Sequence, residues 1–221
     1  MRQTDRRELP AYSLAEAAHY LAIPASTIRY WAAGRPGGSG AVVKAALQQP
    51  LTLSFSNLVE LHVLGTLRRH FKISLPKVRT AIDYLRQRLD HPRPLISAQF
   101  ETDGISLFVE HYGRLLNVTQ EGQVTMRELL AASLRRVERD HHGLPIRLFP
   151  YTRSAIANAP RLIVIDPRLG FGRPVIAGTG LVTEEIAARY KAGESVAELA
   201  RDYGRPEKEI DEAVRCELQA A

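Results

Sequence analysis

The sequence predicts a mainly helical α+β protein made of three small units. Capping signals followed by apolar residues at helical spacing stand near both ends, a period-two pattern lies between them, and prolines separate the parts. With 221 residues, the chain is longer than one compact domain usually requires. We expect a winged helix-turn-helix over 1–91, a small antiparallel, β-rich β/α region over 92–150, and a trihelical, helix-turn-helix-like unit over 151–221.

Charge is distributed unevenly along the chain. The net charge is +6, but residues 1–91 carry 13 Lys or Arg against 6 Asp or Glu, whereas residues 183–221 carry 6 against 10. A basic segment favours a polyanionic partner, and an acidic segment opposes one. The two ends are therefore expected to bind different partners.

Composition excludes several classes of protein. One cysteine, Cys216, cannot form an internal disulfide or a cysteine-based zinc site. No apolar run reaches the roughly 18 residues of a membrane span, and the charged segment 1–10 does not resemble a signal peptide. We expect a cytoplasmic protein that contacts no membrane and needs no metal or cofactor.

The strongest local signal lies in residues 12–31. Ser13 and Glu16 have the spacing of a capping box, which predicts the start of a helix. Pro24 cannot continue that helix, so the chain turns, and Ile28 and Trp31 begin a second apolar face. The pattern predicts two short helices joined by a tight turn.

The second helix leaves hydroxyls and a cation outside its apolar face. A helix in a DNA groove needs such donors for phosphates, and arginine can also bind a guanine edge. The glycine-rich segment 34–40 and the alternating residues 51–55 predict a hairpin wing. The alternative for the two helices is a helical hairpin packed in a core, and the alternative for the wing is an ordinary loop followed by an edge strand. The DNA contacts are expected from Ser26, Thr27, Arg29, Tyr30 and Arg35.

This opening resembles that of the MerR family of regulators, on the pattern Ser13-x-x-Glu-Ala-Ala-x-x-Leu followed by Ser-Thr-Ile-Arg-Tyr-Trp. The resemblance implies that the second helix reads the major groove and that the hairpin wing touches the DNA backbone. One departure is Pro24, which stands where the family usually has a serine cap and allows a helix start shifted by one residue.

Two more helices are expected before residue 91. Ser56 is the expected cap of the first, which ends at His70 and holds His62 as a half-buried residue without metal-ligand neighbours. Ser74 opens the second. Its cations either line the DNA or cover a solvated face: Lys77, Arg79, Arg86 and Arg88.

Prolines at 92 and 94 mark a boundary, after which the pattern changes. Apolar and polar residues alternate around Ile105, and glycine turns at 103–104, 112–113 and 121–122 predict a small antiparallel sheet over 95–125. A helix capped by Thr125 is expected to cover it as far as Val137. Arg135, Arg136 and Arg139 would then suit the carbonyl end of that helix, an edge strand would follow at 146–150, and 152–160 would be a linker.

The tail begins with a buried strand over 161–167. Glycines follow at 170, 172, 178 and 180, but their spacing matches neither the dinucleotide fingerprint nor the Walker pattern, so no nucleotide site is expected. Three short helices then begin near Thr183, Ser195 and Pro206, the last with an apolar face that includes Leu218.

This tail resembles the trihelical antitoxin domain known as domain of unknown function four-three-three. The shared pattern is Val164-x-Asp-Pro-x-x-x-x-Gly-Arg-Pro-Val-Ile-x-Gly-Thr, then Lys191-Ala-Gly-Glu-Ser-x-x-Glu-Leu-Ala-x-Asp-Tyr-Gly and Ile210-x-x-Ala-Val. Members are typically encoded beside a small PIN-like ribonuclease toxin. Joined to the MerR-like head, the chain resembles a long VapB-type antitoxin.

The last helix carries five carboxylates against two cations, which opposes DNA binding there. The tail is therefore expected to bind the toxin through Arg173, Glu207, Glu209, Asp211 and Glu212. Arg173 would pair with the metal-binding carboxylates of the ribonuclease; the alternative is an ion pair within its own unit.

The resemblance implies an antitoxin that neutralises a PIN-like ribonuclease and represses its own operon as a homodimer on double-stranded operator DNA. The alternative is a MerR-like regulator that senses a small ligand and has no toxin partner. Catalysis is not expected, because His111, Ser154 and Asp166 are scattered and form no recognisable nucleophile motif.

Overall fold

A computed structural model describes residues 5–34, 40–71, 75–153 and 159–218, and these form helices with a few short antiparallel strands. This confirms the mainly helical fold class. The helices are α1 Leu14–Leu21, α2 Ala25–Ala33, α3 Phe55–His70, α4 Leu75–Arg88, α5 Ile105–Leu116, α6 Gln120–Leu134, α7 Thr183–Lys191, α8 Val196–Tyr203 and α9 Glu207–Leu218. The strands pair as β1 Leu47–Gln48 with β2 Leu51–Thr52, β3 Val137–Arg139 with β4 Pro145–Leu148, and β5 Ile163–Val164 with β6 Val175–Ile176.

The predicted pair of N-terminal helices is present. Ser13 Oγ accepts the Glu16 N–H at 3.2 Å, and the Glu16 carboxylate accepts the Ser13 N–H at 2.8 Å, so the capping box is confirmed. Helix α2 begins directly after Pro24 without a side-chain cap. Ile28 and Trp31 are fully buried, as the apolar spacing predicts.

Helix α3 forms the centre of the molecule, buried on all sides from Phe55 to Leu67. Its cap is Ser54, whose hydroxyl accepts the Asn57 N–H, so the prediction of Ser56 as the cap is wrong. The Ser56 hydroxyl instead donates to the Glu8 carboxylate, 2.5 Å away. His62 lies deeper than expected and is buried.

The strands predicted over 95–125 are wrong, because this segment is helical. A 3-10 turn at Pro94–Ile96 and a π turn at Phe100–Gly104 lead into α5, and the glycines read as turns lie in or beside helices. The buried side chains of α5 follow helical spacing: Ile105, Phe108, Val109 and Tyr112. Thr119, and not Thr125, caps α6 by accepting the Gly122 N–H.

The antiparallel hairpin of the middle region lies further along, at β3 and β4. Val137 therefore belongs to a strand and not to the preceding helix, while the edge strand expected at 146–150 is confirmed in its first half. Leu148 also pairs with Ile165, and Ile165 belongs to the same hydrophobic core as α1 to α6. This pairing joins the tail to the rest of the molecule.

The tail has the predicted strand and three helices. The Ser195–Glu198 capping box of α8 is present, and Gly204 ends α8 in a left-handed conformation. Helix α7 packs against α9 around Ile186, Ile210 and Ala213. The placing of Leu218 on the apolar face is wrong, because this residue is 49% exposed. The described residues of the expected linker, 152–153 and 159–160, form no helix or strand, although Thr152 is buried; residues 154–158 lie outside the described residues.

The tail also contacts the head directly. Tyr12, just before α1, donates its hydroxyl to the Gly172 carbonyl at 3.1 Å, and His19 Nε2 lies 3.0 Å from the Glu217 carboxylate. The division into 1–91, 92–150 and 151–221 stays a prediction.

Candidate functional site

The outer face of α2 carries the candidate DNA-binding residues. Ser26, Arg29 and Tyr30 are exposed and Thr27 is partly exposed, because Ile28 and Trp31 direct the opposite face into the core. Three of these residues, Ser26, Thr27 and Tyr30, line an open groove of about 320 Å³ together with Arg68 at the end of α3 and the first turn of α4. Arg35 lies outside the described residues.

The chemistry of this face suits a phosphate backbone. It offers two hydroxyls, a phenol and the guanidinium groups of Arg29 and Arg68, all of which can donate to anionic oxygens. Within the described residues, no carboxylate forms an ion pair with either arginine. Their positive charge is therefore available to a ligand.

The cations of α4 have a different role. Lys77 donates to the Leu115 carbonyl at 2.6 Å, Arg79 donates to the Gly40 carbonyl, and Arg86 donates to the Val42 carbonyl at 3.3 Å. These contacts tie α4 to α5 and to the chain that follows α2. Of the four cations predicted on α4, Arg88 is the one that is exposed. The other three hold neighbouring segments together, which favours a structural role for them.

The hairpin β1–β2 occupies the place of the predicted wing, but its strands are shorter and earlier than expected. Pairing covers Leu47–Gln48 and Leu51–Thr52, and the expected strand at 51–55 is wrong beyond Leu53 because Phe55 begins α3. Residues 47–50 are exposed.

The acidic residues expected to bind a partner occupy unequal positions on α9. Glu207 is exposed, Glu209 pairs with Arg205 at 2.7 Å, and Asp211 pairs with Arg215 at 3.0 Å. Glu212 is fully buried and accepts hydrogen bonds from Thr152 and Arg153. The prediction that Glu212 contacts a partner is therefore wrong, since its carboxylate is used inside the molecule.

Arg173 follows the turn at Gly170–Gly172. Its guanidinium lies 3.2 Å from the Glu184 carboxylate and also donates to the Gly170 carbonyl. This geometry matches the alternative of an ion pair within the tail. Because 38% of the side chain remains exposed, a partner can still reach it.

Sequence reasoning missed Phe171. Its ring is 94% exposed, and its backbone has φ 56° and ψ 29°, a left-handed conformation that bulky residues rarely adopt. The available signal is a phenylalanine between two glycines. The sequence analysis considers only the glycines, whose spacing does not match a phosphate-binding loop.

Asp166 ends the buried strand beside this turn. Its carboxylate accepts hydrogen bonds from Arg147 at 3.0 Å and from Arg168 at 2.9 and 3.0 Å. Burial raises the pKa of Asp166, but the hydrogen bonds from Arg168 and Arg147 outweigh that effect and hold the pKa below its usual value. Asp166 is thus an ionised anchor that fixes both arginines at the surface.

The remaining chemistry-bearing residues lie apart from one another. Among the described residues, no group of three or more His, Cys, Asp or Glu is placed to hold a metal ion. His111 stacks on Tyr84 with ring centroids 4.3 Å apart, and burial raises the pKa of the Cys216 thiol. No helix in the part of the chain that the structure describes has the length and apolar character needed to cross a bilayer.

Comparison with known proteins places the chain beside mycobacterial relatives. The family model described as "Protein of unknown function (DUF433)" matches residues 163–215, which is the resemblance predicted for the tail. The protein named "Putative antitoxin VapB45", from Mycobacterium tuberculosis (strain ATCC 25618 / H37Rv), is 30% identical, and the alignment covers 95% of this chain and 94% of that protein. The uncharacterized protein Rv2308 of the same organism is 26% identical over 97% of this chain and 92% of its own.

A solved structure has the same fold. The crystal structure of Rv2018 from Mycobacterium tuberculosis matches with a TM-score of 0.70 at 24% identity, and the match covers 95% of this chain and all of that chain. The likeness therefore extends over the head, the middle region and the tail.

Proposed function

Because this chain belongs to the antitoxin family that includes VapB45, we propose that it neutralises a PIN-like ribonuclease toxin and represses its own operon by binding operator DNA. It acts in the cytoplasm as a homodimer, by binding and not by catalysis. The observation that carries this proposal is the identity of 30% across 95% of the chain, which includes both the basic head and the acidic tail.

The DNA-binding part of the proposal rests on α2. Its apolar residues are buried, whereas Ser26, Thr27, Arg29 and Tyr30 face outward beside Arg68. Such a helix can donate to phosphates and to base edges in the major groove. Two copies related by a two-fold axis would bind the two halves of a palindromic operator.

The toxin-binding part rests on the tail. Its helical part, residues 183–221, carries 10 Asp or Glu against 6 Lys or Arg, which opposes DNA, and Glu207, Asp211 and Arg173 remain accessible at the surface of the tail. A protein partner is the simpler ligand for this mixture of charges.

Co-purification tests the toxin partner. The chain is co-expressed with a tagged product of the adjacent reading frame, and the eluate is analysed for both proteins in a fixed ratio. Recovery of a stable complex supports the proposal. Separate elution of two folded proteins contradicts it.

Operator binding tests α2. With DNA from upstream of the gene, Arg29→Ala should weaken binding by about 1–3 kcal/mol if the side chain contacts a base. Arg88→Ala is the matched control, since this exposed arginine lies on α4 and not on α2. Equal affinity of the Arg29→Ala variant and the wild type would move the DNA contact elsewhere.

The ligand-sensing alternative gains no support within the described residues. The middle region packs its aromatic side chains against one another: the Phe100 and Phe108 rings lie 6.3 Å apart, and the Phe108 and Tyr112 rings lie 5.6 Å apart. All three side chains are fully buried, so this part of the middle region is a packed core.

A further inference from the structure

One apolar side chain differs from all others on the described surface. Phe171 is 94% exposed, whereas the other large exposed apolar residues of the described part, such as Val124 and Leu218, reach at most 49%. Partial exposure of single apolar residues is ordinary, whereas aromatic side chains that become buried on binding often carry much of the energy of an interface.

The backbone holds Phe171 in this position at a conformational cost. Three consecutive residues, Gly170, Phe171 and Gly172, have positive φ angles of 52°, 56° and 81°. A Cβ at Gly172 would collide with the Tyr12 hydroxyl, and one at Gly170 would lie 2.9 Å from Val175, so glycine is required on both sides of Phe171. Phe171 is the position in this turn where a side chain projects away from the protein.

The turn is also firmly anchored. The Gly172 N–H donates to the Leu169 carbonyl at 2.8 Å, the Arg173 N–H donates to the Gly170 carbonyl at 3.0 Å, and Tyr12 holds the Gly172 carbonyl. A preorganised ring loses little conformational entropy when it is bound.

Charges beside the ring indicate what it would meet. Arg168 and Arg173 flank the turn with side chains that are 55% and 38% exposed, and Arg147 lies beside Arg168 on the shared Asp166 carboxylate. Arg173 is balanced by Glu184, whereas the arginines on the other side of the turn, Arg147, Arg161 and Arg168, share two carboxylates, Asp166 and Glu138, and leave one positive charge in excess. The complement of this side is an apolar pocket with a carboxylate at its rim.

We propose that Phe171 is the anchor of the toxin-binding surface, inserting into an apolar pocket of the toxin while Arg168 and Arg173 pair with acidic residues around it. This inference rests on the proposed antitoxin function and assigns the contact to a residue of this chain. A second copy of the chain is the competing occupant. It offers an apolar hollow formed by Phe149, Val164, Leu169 and Ala177, and the arginine at its border, Arg147, has the same charge as the Arg168 and Arg173 that would arrive with Phe171.

The test measures the affinity of the purified product of the adjacent reading frame for three forms of the full chain: wild type, Phe171→Ala and Tyr190→Ala. Tyr190 is the control because it is an exposed aromatic residue, 39% accessible, elsewhere in the tail. Phe171→Ala should weaken binding at least about 30-fold, as for an interface hot spot. Tyr190→Ala should bind like the wild type, and all three should unfold at the same temperature since the Phe171 ring packs against little.

Two further variants test the roles of the ring and of the charge beside it. Phe171→Leu should retain most of the affinity, and Arg173→Gln should reduce the dependence of the affinity on salt. Wild-type affinity of Phe171→Ala overturns this inference and leaves the antitoxin function standing. Failure of the wild type to bind overturns both. A Phe171→Ala variant that loses self-association in light scattering, with toxin affinity unchanged, overturns the toxin as the occupant in favour of a second copy.

Discussion

At the scale of single residues, Arg136 holds the connection between the middle region and the tail. It is buried, and its guanidinium donates to the carbonyls of Phe149 and Pro150 on one side and to those of Ala159 and Pro160 on the other. It also lies 4.6 Å from the ring centre of Tyr151. Five donors in a planar group can satisfy this many acceptors, which no other side chain could do.

Replacing Arg136 by methionine should therefore lower the free energy of unfolding by about 2–5 kcal/mol, because buried carbonyls lose their donor. Arg135→Met is the matched control, as the neighbouring arginine is exposed. Urea denaturation of both variants measures the difference. Equal stability of the two variants would show that these hydrogen bonds contribute nothing.

His62 gives the fold a dependence on pH. It is buried, donates to the Ser133 carbonyl at 3.2 Å and stacks on Tyr151 with ring centroids 5.0 Å apart. Burial, together with the cations Arg136 and Arg69, lowers the pKa of His62 from 6.5 to about 3. Between these two pH values, His62 is protonated only in the unfolded chain. The stability that neutral His62 contributes to the fold is therefore fully present above pH 6.5 and is lost as the pH decreases towards 3.

A His62→Gln variant removes this contribution. Between pH 7 and pH 5, the unfolding free energy of the wild type should fall relative to the variant, by up to about 1.4 kcal/mol for each pH unit below the ordinary histidine pKa. Urea titrations of both proteins at several pH values provide the slopes. Parallel slopes would mean that His62 does not stay neutral in the folded chain.

Sequence reasoning succeeded at residues whose role is local. Ser13, Glu16 and Ser195 act within one helical turn, so their capping roles can be read from spacing alone. Arg136 and Glu212 could not be identified in this way. Their partners lie in segments that only the folded chain brings together. A single basic or acidic residue in a sequence gives no information on whether its side chain is buried.

At the scale of elements, the helix-turn-helix is held against α3 by a close approach. A Cβ added to Gly65 of α3 would lie 2.6 Å from Cδ1 of Ile23, which belongs to the turn between α1 and α2. Ile23 is itself buried, so it has little room to move. The position of α2 thus depends on the absence of a Cβ at residue 65 of α3.

The substitution Gly65→Ala has two opposing effects on the stability of the fold. Alanine favours a helix over glycine by about 1 kcal/mol, but overpacking a tight core typically costs about 1–3 kcal/mol. We expect a net destabilisation of the folded chain. Adding Ile23→Val, which removes Cδ1, should reverse the sign and make Gly65→Ala stabilising in that background. A double-mutant cycle by thermal unfolding measures this, and additive effects would contradict the contact.

The element that sequence reasoning assigned wrongly shows a limit of periodicity. Ile105, Leu107 and Val109 alternate as in a strand, yet Ile105, Phe108, Val109 and Tyr112 recur as on a helix, and only the second set is fully buried. The glycines at 104, 113 and 122 favoured turns. The packing of α5 against α4 and α6 stabilises the helix over the strand. These contacts join segments that are apart in sequence, so the local pattern of residues does not reveal them.

At the scale of the whole molecule, the two functional ends are in contact. The turn that displays Phe171 is bonded to Tyr12 at the start of α1, and Glu217 of α9 meets His19 on α1. In the proposed function, a toxin on the tail would therefore lie beside the helices that bind DNA. The sequence indicated the opposite charges of the two ends, but not that they touch.

The proposed function requires that this chain neutralise a PIN-like ribonuclease encoded beside it. This is tested by measuring cleavage of RNA by that purified ribonuclease as increasing amounts of this chain are added. We expect the activity to fall in proportion to the added chain and to disappear at a fixed molar ratio. Undiminished cleavage in the presence of a large excess of the folded chain would contradict it.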